Sequence, residues 1–267
     1  MRSLFSRFAP LSLVTALSAL LTVATLTVLL AVSYDPSIGH FGSELLEGLW
    51  FFLLFAVLAL LALTARCSPP LSVAVPSSTP TDRTVSLLSG IALVAVGLIA
   101  FANVFSAADP IVQVLVSLSS LAALVQGGIF LFSGILTRSA ASFAPLSLFF
   151  VFYGMALYFR PLPVMNDPLK ITVMMTAAAL SLLFLLIERG RTHTPLPRLL
   201  AFVGSAAAVL SVTAALPLAV YLTVTGSATP EILSFLILVL VFGIGIFVRL
   251  FFPAPSLEVS HEDNSGC

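Results

Sequence analysis

Groups that could do chemistry lie close together in one stretch, Tyr34-Asp35-Pro36-Ser37-Ile38-Gly39-His40-Phe41-Gly42-Ser43-Glu44. A helix beginning at His40 would put His40, Glu44 and Glu47 at i, i+4 and i+7, on one face. An imidazole and two carboxylates so placed could bind a divalent cation. Gly42 and Ser43 favour a helix that begins after His40, which breaks the face. The stretch then reads as a polar lip. Its acids sit at a helix N-terminus, Tyr34 and Trp50 lie at headgroup level, and Gly39 and Gly42 close a turn. The lip is the preferred reading, so neither metal nor cofactor is expected.

A second polar cluster is Arg160-Pro161-Leu162-Pro163, followed by Asn166-Asp167-Pro168 and Lys170. Its two cations could receive an anionic group. Arg160 could equally pair with Asp35, Glu47 or Asp167, and an exposed pair contributes only about 0–1 kcal/mol. The candidate set here is Asp35, His40, Glu44, Glu47, Arg160 and Asp167.

A third candidate lies inside a long apolar run. Pro217 removes one backbone hydrogen bond and frees the Thr213 carbonyl, so a kink is expected. Freed carbonyls beside Ser211, Thr213 and Tyr221 could line a small polar pocket, although Ser and Thr side chains also re-satisfy such carbonyls. Gln126 and Asn103 are amides at depth, and each could bond another helix for about 0.6–2 kcal/mol or touch a substrate. The intramembrane set is Gln126, Thr213, Pro217 and Tyr221.

No Asp, Glu, Lys, Arg or His stands near the middle of an apolar run, which argues against proton relays and voltage sensing. His-Glu-x-x-His, Gly-x-Ser-x-Gly and Walker patterns are missing, and no acid/base pair or nucleophile arrangement is visible. The chain is therefore not read as an enzyme. Net charge is zero, which removes the electrostatic case for nucleic acid. Cys67 and Cys267 make neither a disulfide framework nor a zinc site.

The elements that must position these residues are plain from composition. The 267 residues are 60% hydrophobic and 8% charged, against about 25% charged in soluble domains. Hydrocarbon as solvent demands that every backbone polar group be paired within the protein, and continuous helices do so segment by segment. Alternating ten-residue segments, the mark of a β-barrel, are absent. The fold class is all-α, a polytopic integral membrane bundle. Its eight spans cover about 8–32, 44–65, 84–106, 110–136, 141–159, 168–187, 198–224 and 230–252. The first run is too long for a signal-peptide core and is read as a retained helix. Residues 66–83 form a Pro/Ser/Thr-rich linker and 253–267 a short polar tail. Asp109-Pro110, Asp167-Pro168 and Thr229-Pro230 each place a cap before a first-turn proline. Ser43 caps the second span.

Nine of the eleven Lys and Arg residues fall on one side of this threading, leaving Arg160 and Lys170 on the other. Both termini are therefore expected in the cytoplasm. The two four-helix halves share a polarity that fits a parallel duplication, though any alternating eight-helix chain shares much of it. Small residues stripe the fourth span (Ser120, Ala123, Gly127, Gly134) and the seventh (Gly204, Ala208, Ser211, Ala215, Ala219). Both are expected to be central. The second span, rich in Leu and Phe, is expected to face lipid.

The expected function is a small-molecule permease, or a transporter's membrane subunit, working through the fourth and seventh spans. The alternative is a non-transporting scaffold, assembly or sensory protein acting through protein contacts. The expected partners are the bilayer and a further membrane or cytoplasmic subunit. The expected location is the plasma membrane of a prokaryote.

Overall fold

Proline opens five of the helices: α3 (Pro80–Ala102), α4 (Pro110–Leu136), α6 (Pro168–Thr192), α7 (Pro197–Val224) and α8 (Pro230–Phe251). At the first helical position its missing N–H leaves no bond unmade. For α4, α6 and α8 the preceding residue supplies a cap. Asp109 Oδ1 accepts the Ile111 N–H at 2.8 Å, Asp167 Oδ1 that of Leu169 at 2.8 Å, and Thr229 Oγ1 that of Ile232 at 3.3 Å. Helix α2 (Glu44–Cys67) is capped by Ser43, whose Oγ accepts the Leu46 N–H at 3.3 Å. The remaining helices are α1 (Arg2–Val32) and α5 (Ala144–Phe159), and a single 3₁₀ turn at Val104–Ser106 follows α3.

This computed structural model describes residues 2–35, 39–68, 80–106, 109–136, 142–159, 167–192, 196–226 and 229–251. Arg160, most of the predicted linker and the predicted tail lie outside them. The protein is an all-helical bundle suited to a membrane. Six of its eight helices are long and apolar enough to cross one, while α5 and the described part of α3 are shorter apolar helices. Several boundaries differ from those expected. α1 starts at Arg2 rather than 8, α3 takes over residues 80–83 from the linker, and α6 continues to Thr192. Helices run past the apolar stretches because backbone hydrogen bonding does not stop where hydropathy does.

One feature is not helical. β1 (Tyr34–Asp35) and β2 (His40–Phe41) pair antiparallel, Tyr34 opposite Phe41 and Asp35 opposite His40. Gly39 closes the turn at φ 68°, a left-handed value that favours glycine.

Helices α3 to α8 form a closed ring, each packed on the next, with α8 returning to α3. α1 and α2 lie outside the ring on α7, and α1 also reaches α8. Helix α7 therefore touches four helices, and Gly204, Ala208, Ser211 and Ala215 are all buried there. Helix α4 was expected to be central too, but it is a ring member packed mainly on α3 and α5. Its small residues serve that lateral contact. A Cβ on Gly127 would lie 3.0 Å from the Gly90 carbonyl, and one on Gly97 would lie 3.1 Å from the Ser120 carbonyl. Helix α2 buries a single stripe, Trp50, Leu54, Val57, Leu61 and Ala65, and exposes Leu49, Phe52, Phe55 and Leu63. The halves do not match in packing. α3 occupies the place of α7 in a duplication, yet among the described residues it packs mainly on α4 and α8.

Candidate functional site

The middle of the ring is filled by aromatic rings. Phe150 of α5 stacks on Phe184 of α6 with centroids 6.0 Å apart and meets Phe242 of α8 edge-on at 6.0 Å. Phe184 reaches Phe242 at 5.3 Å, and Tyr153 stacks on Phe235 at 4.0 Å. Helices α5 and α8 are not adjacent on the ring, so these side chains meet across its interior. Phe149, Phe150, Tyr153 and Phe235 are all buried. Sequence reading missed this plug. Phenylalanine in an apolar helix fits lipid as well as core, and no local signal separates the two.

The predicted intramembrane set does not assemble. Thr213 faces α1, outside the ring, with its Oγ1 2.6 Å from Thr22 Oγ1. The Thr22 hydroxyl donates to the Ser18 carbonyl at 2.9 Å, so Thr213 supplies the proton between the two. Tyr221 lies at the far end of α7 and meets the Tyr34 ring edge-on at 5.5 Å. Pro217 is buried, and α7 continues helical through it. Ser211 packs toward α8, where a Cβ on Gly243 would lie 2.8 Å from its own Cβ, and its hydroxyl finds no protein partner. Gln126 of α4 stands apart from all of these. It is 0% exposed, and neither its Oε1 nor its Nε2 has a hydrogen-bond partner.

A different polar chain ties α2, α6 and α7. Trp50 Nε1 donates to Thr172 Oγ1 at 3.2 Å, and Thr172 donates to the Pro168 carbonyl at 2.7 Å. One turn on, Thr176 lies 2.8 Å from the Thr172 carbonyl and 3.2 Å from that of Leu210 on α7. Trp50 is thus 1% exposed, its indole N–H held inside the bundle by a hydroxyl on a distant helix.

The outer polar residues come together in part. His40 Nδ1 lies 2.5 Å from Glu47 Oε1, which also accepts the Phe41 N–H at 3.2 Å. The Tyr34 hydroxyl donates to Asp167 Oδ2 at 3.2 Å. Burial raises the Asp167 carboxyl above its ordinary range, while the Leu169 and Lys170 N–H groups, Tyr34 and the nearby His40 pull it back. Burial, then the Asp167 charge, pushes the Tyr34 phenol above its usual range. Asp35 and Glu44 are exposed. Because α2 starts at Glu44, the helical face of His40, Glu44 and Glu47 does not form, and His40 reaches Glu47 from a strand instead. Among the described residues no three His, Cys, Asp or Glu side chains are placed to hold a metal ion. Lys170 is not held out for an anion. Its Nζ donates to the Tyr158 carbonyl at 3.0 Å, at the C-terminal end of α5.

No family model matches this chain, and neither do curated proteins or solved structures.

Proposed function

We propose that this multi-pass membrane protein acts through protein contacts, as a scaffold, assembly or sensory component, rather than as a conduit. The observation that carries the reading is the aromatic plug. A solute crossing the ring would have to displace Phe150, Phe184, Phe235 and Phe242 together. Packed aromatics resist that, since each pair contributes roughly 0.5–1.5 kcal/mol beyond the area it buries. Thr213, expected to line a path, instead fastens α1 to α7, and Thr176 fastens α6 to α7. The charge bias supports a threading with both termini in the cytoplasm.

A permease is the second reading, favoured by Gln126. Its buried amide offers a donor and an acceptor that no protein group uses. One experiment separates the two. Proteoliposomes would be tested for flux of small neutral solutes, with photo-crosslinking from Phe52 and Phe55 on the exposed face of α2 run in cells. The contact reading expects flux equal to protein-free vesicles and a discrete protein adduct. Solute-selective flux that Gln126→Leu abolishes would install the permease instead.

A further inference from the structure

The acidic end of the bundle is closed by a hairpin whose attachments are rings and titratable groups. The chain leaves α1, doubles back through β1 and β2, and enters α2, with the Gly42 N–H donating to the Ser33 carbonyl at 2.7 Å. Phe41 is buried, and the Tyr34 ring meets Phe41 at 5.8 Å and Tyr221 of α7 at 5.5 Å, edge-on in both cases. The polar ties are Tyr34 to Asp167, at the start of α6, and His40 with the Phe41 N–H to Glu47 on α2. Asp167 thus joins the hairpin to a helix far away in sequence, while Glu47 joins it only to its own neighbour.

We propose that this hairpin is a proton-operated strap, which fastens the α1–α2 pair to α6 and α7 at low pH and loosens as pH rises on its side of the membrane. The pivot is Asp167. The titratable and charged groups around it are Tyr34 and Asp35 on β1, His40 on β2 with Glu47 of α2 behind it, Lys170 on α6, and Tyr221 on α7. Beneath the strap the Asp167 carboxylate is partly stripped of water, and this outweighs the opposing Tyr34 bond and His40 charge, so its pKa stands above the ordinary value while the strap is fastened. The fastened form therefore holds that proton more tightly than an open form, in which the carboxyl is hydrated. Linkage sets the sign: fastening is strongest in acid and is lost as pH rises through the raised value. Protonation leaves the tie intact, because a neutral carboxyl still accepts from Tyr34 and from the Leu169 N–H. Tyr34 keeps its donor proton throughout, its own phenol being pushed upward. The strap concerns the acidic end alone and operates whether or not the ring conducts a solute.

The test is hydrogen exchange on the full chain in lipid nanodiscs between pH 4 and pH 8, corrected for intrinsic exchange and read at the Phe41 and Gly42 amides. Wild-type protection is expected to fall with rising pH, by at most about tenfold per unit for one linked proton. Asp167→Asn keeps its amide oxygen for the α6 cap and can donate from its amide nitrogen to the Tyr34 oxygen, so it is expected to remain protected but lose the slope. Tyr34→Phe is expected to lower protection at every pH. Peptides from α5 should stay flat. Protection in the wild type that does not change with pH would overturn the strap. So would a slope that survives in Asp167→Asn, or the same slope in α5.

Discussion

Gln126 is where the chain's chemistry and its surroundings disagree most. A buried amide without partners costs about 1–3 kcal/mol relative to one that is paired, and an apolar group of like shape avoids that cost. Gln126→Leu is therefore expected to raise the thermal unfolding midpoint, by the equivalent of about 1–2 kcal/mol. A fall in stability would show that the amide is satisfied in the working protein. Thr213 makes the opposite case. Its hydroxyl supplies the proton shared with Thr22, so Thr213→Val is expected to cost about 0.6–1.7 kcal/mol. A double-mutant cycle with Thr22→Val should return most of that as coupling energy, and zero coupling would deny the bond. Both residues could be picked out from the sequence as polar groups at depth. The partner of Thr213 could not, because Thr22 and Thr213 lie 191 residues apart and neither position carries a local mark of the other.

At the scale of elements, α5 and α6 form the pair with the clearest logic. The sixteen described residues of α5 span about 24 Å, and polar groups meet backbone at both ends of that stretch. Helix α6 supplies them. Glu188 accepts the Phe143 N–H at 2.9 Å and the Ser142 hydroxyl at 3.1 Å at one end, and Lys170 serves the Tyr158 carbonyl at the other. Between them, Ser147 donates to the Ser181 carbonyl at 3.0 Å. Glu188→Ala is expected to destabilise the protein by about 1–2 kcal/mol, in the range of a lost N-cap, and Glu188→Gln by less. Equal losses would mean that the carboxylate is not acting as a cap. The α3–α4 contact gives a paired test. A Cβ on Gly127 would lie 2.7 Å from Val94 Cγ2 and 3.0 Å from the Gly90 carbonyl, whereas one on Gly128 meets nothing within 4 Å. Gly127→Ala is expected to cost about 1–3 kcal/mol by forcing the helices apart. Gly128→Ala should be neutral or stabilising by up to about 1 kcal/mol. In sequence these adjacent glycines look alike, and only the neighbouring helix tells them apart.

At the scale of the whole molecule, the charge bias and the even number of helices make one statement about threading. A reporter active only in the cytoplasm is expected to work when fused at either terminus and to fail when inserted after Val224. Activity at one terminus alone would require an odd number of crossings, and α5, the shortest of the described α-helices, would then be the one to re-examine. The closed ring also explains why α7 is so thoroughly buried. It is both a wall of the ring and the platform for α1 and α2. Its small residues are a readable sign of close packing, but on the similar stripe of α4, Ser120 and Gly127 close the contact with α3. A stripe of small side chains reports that some backbone comes near, without saying how many helices do so.

Solvent, element type and most helix ends were settled by the sequence alone. These depend on local composition, on backbone bonds closed within each segment, and on caps two or three residues from the groups they serve. Neighbour relations were decided only in the tertiary structure: the aromatic plug, the Trp50–Thr172 and Thr22–Thr213 bonds, and the hairpin fastened to Asp167. Lipid is as apolar as the helix faces it bathes, so hydrophobicity cannot rank one pairing above another. Shape and a few distant hydroxyls make that choice, and neither leaves a periodic trace along the chain.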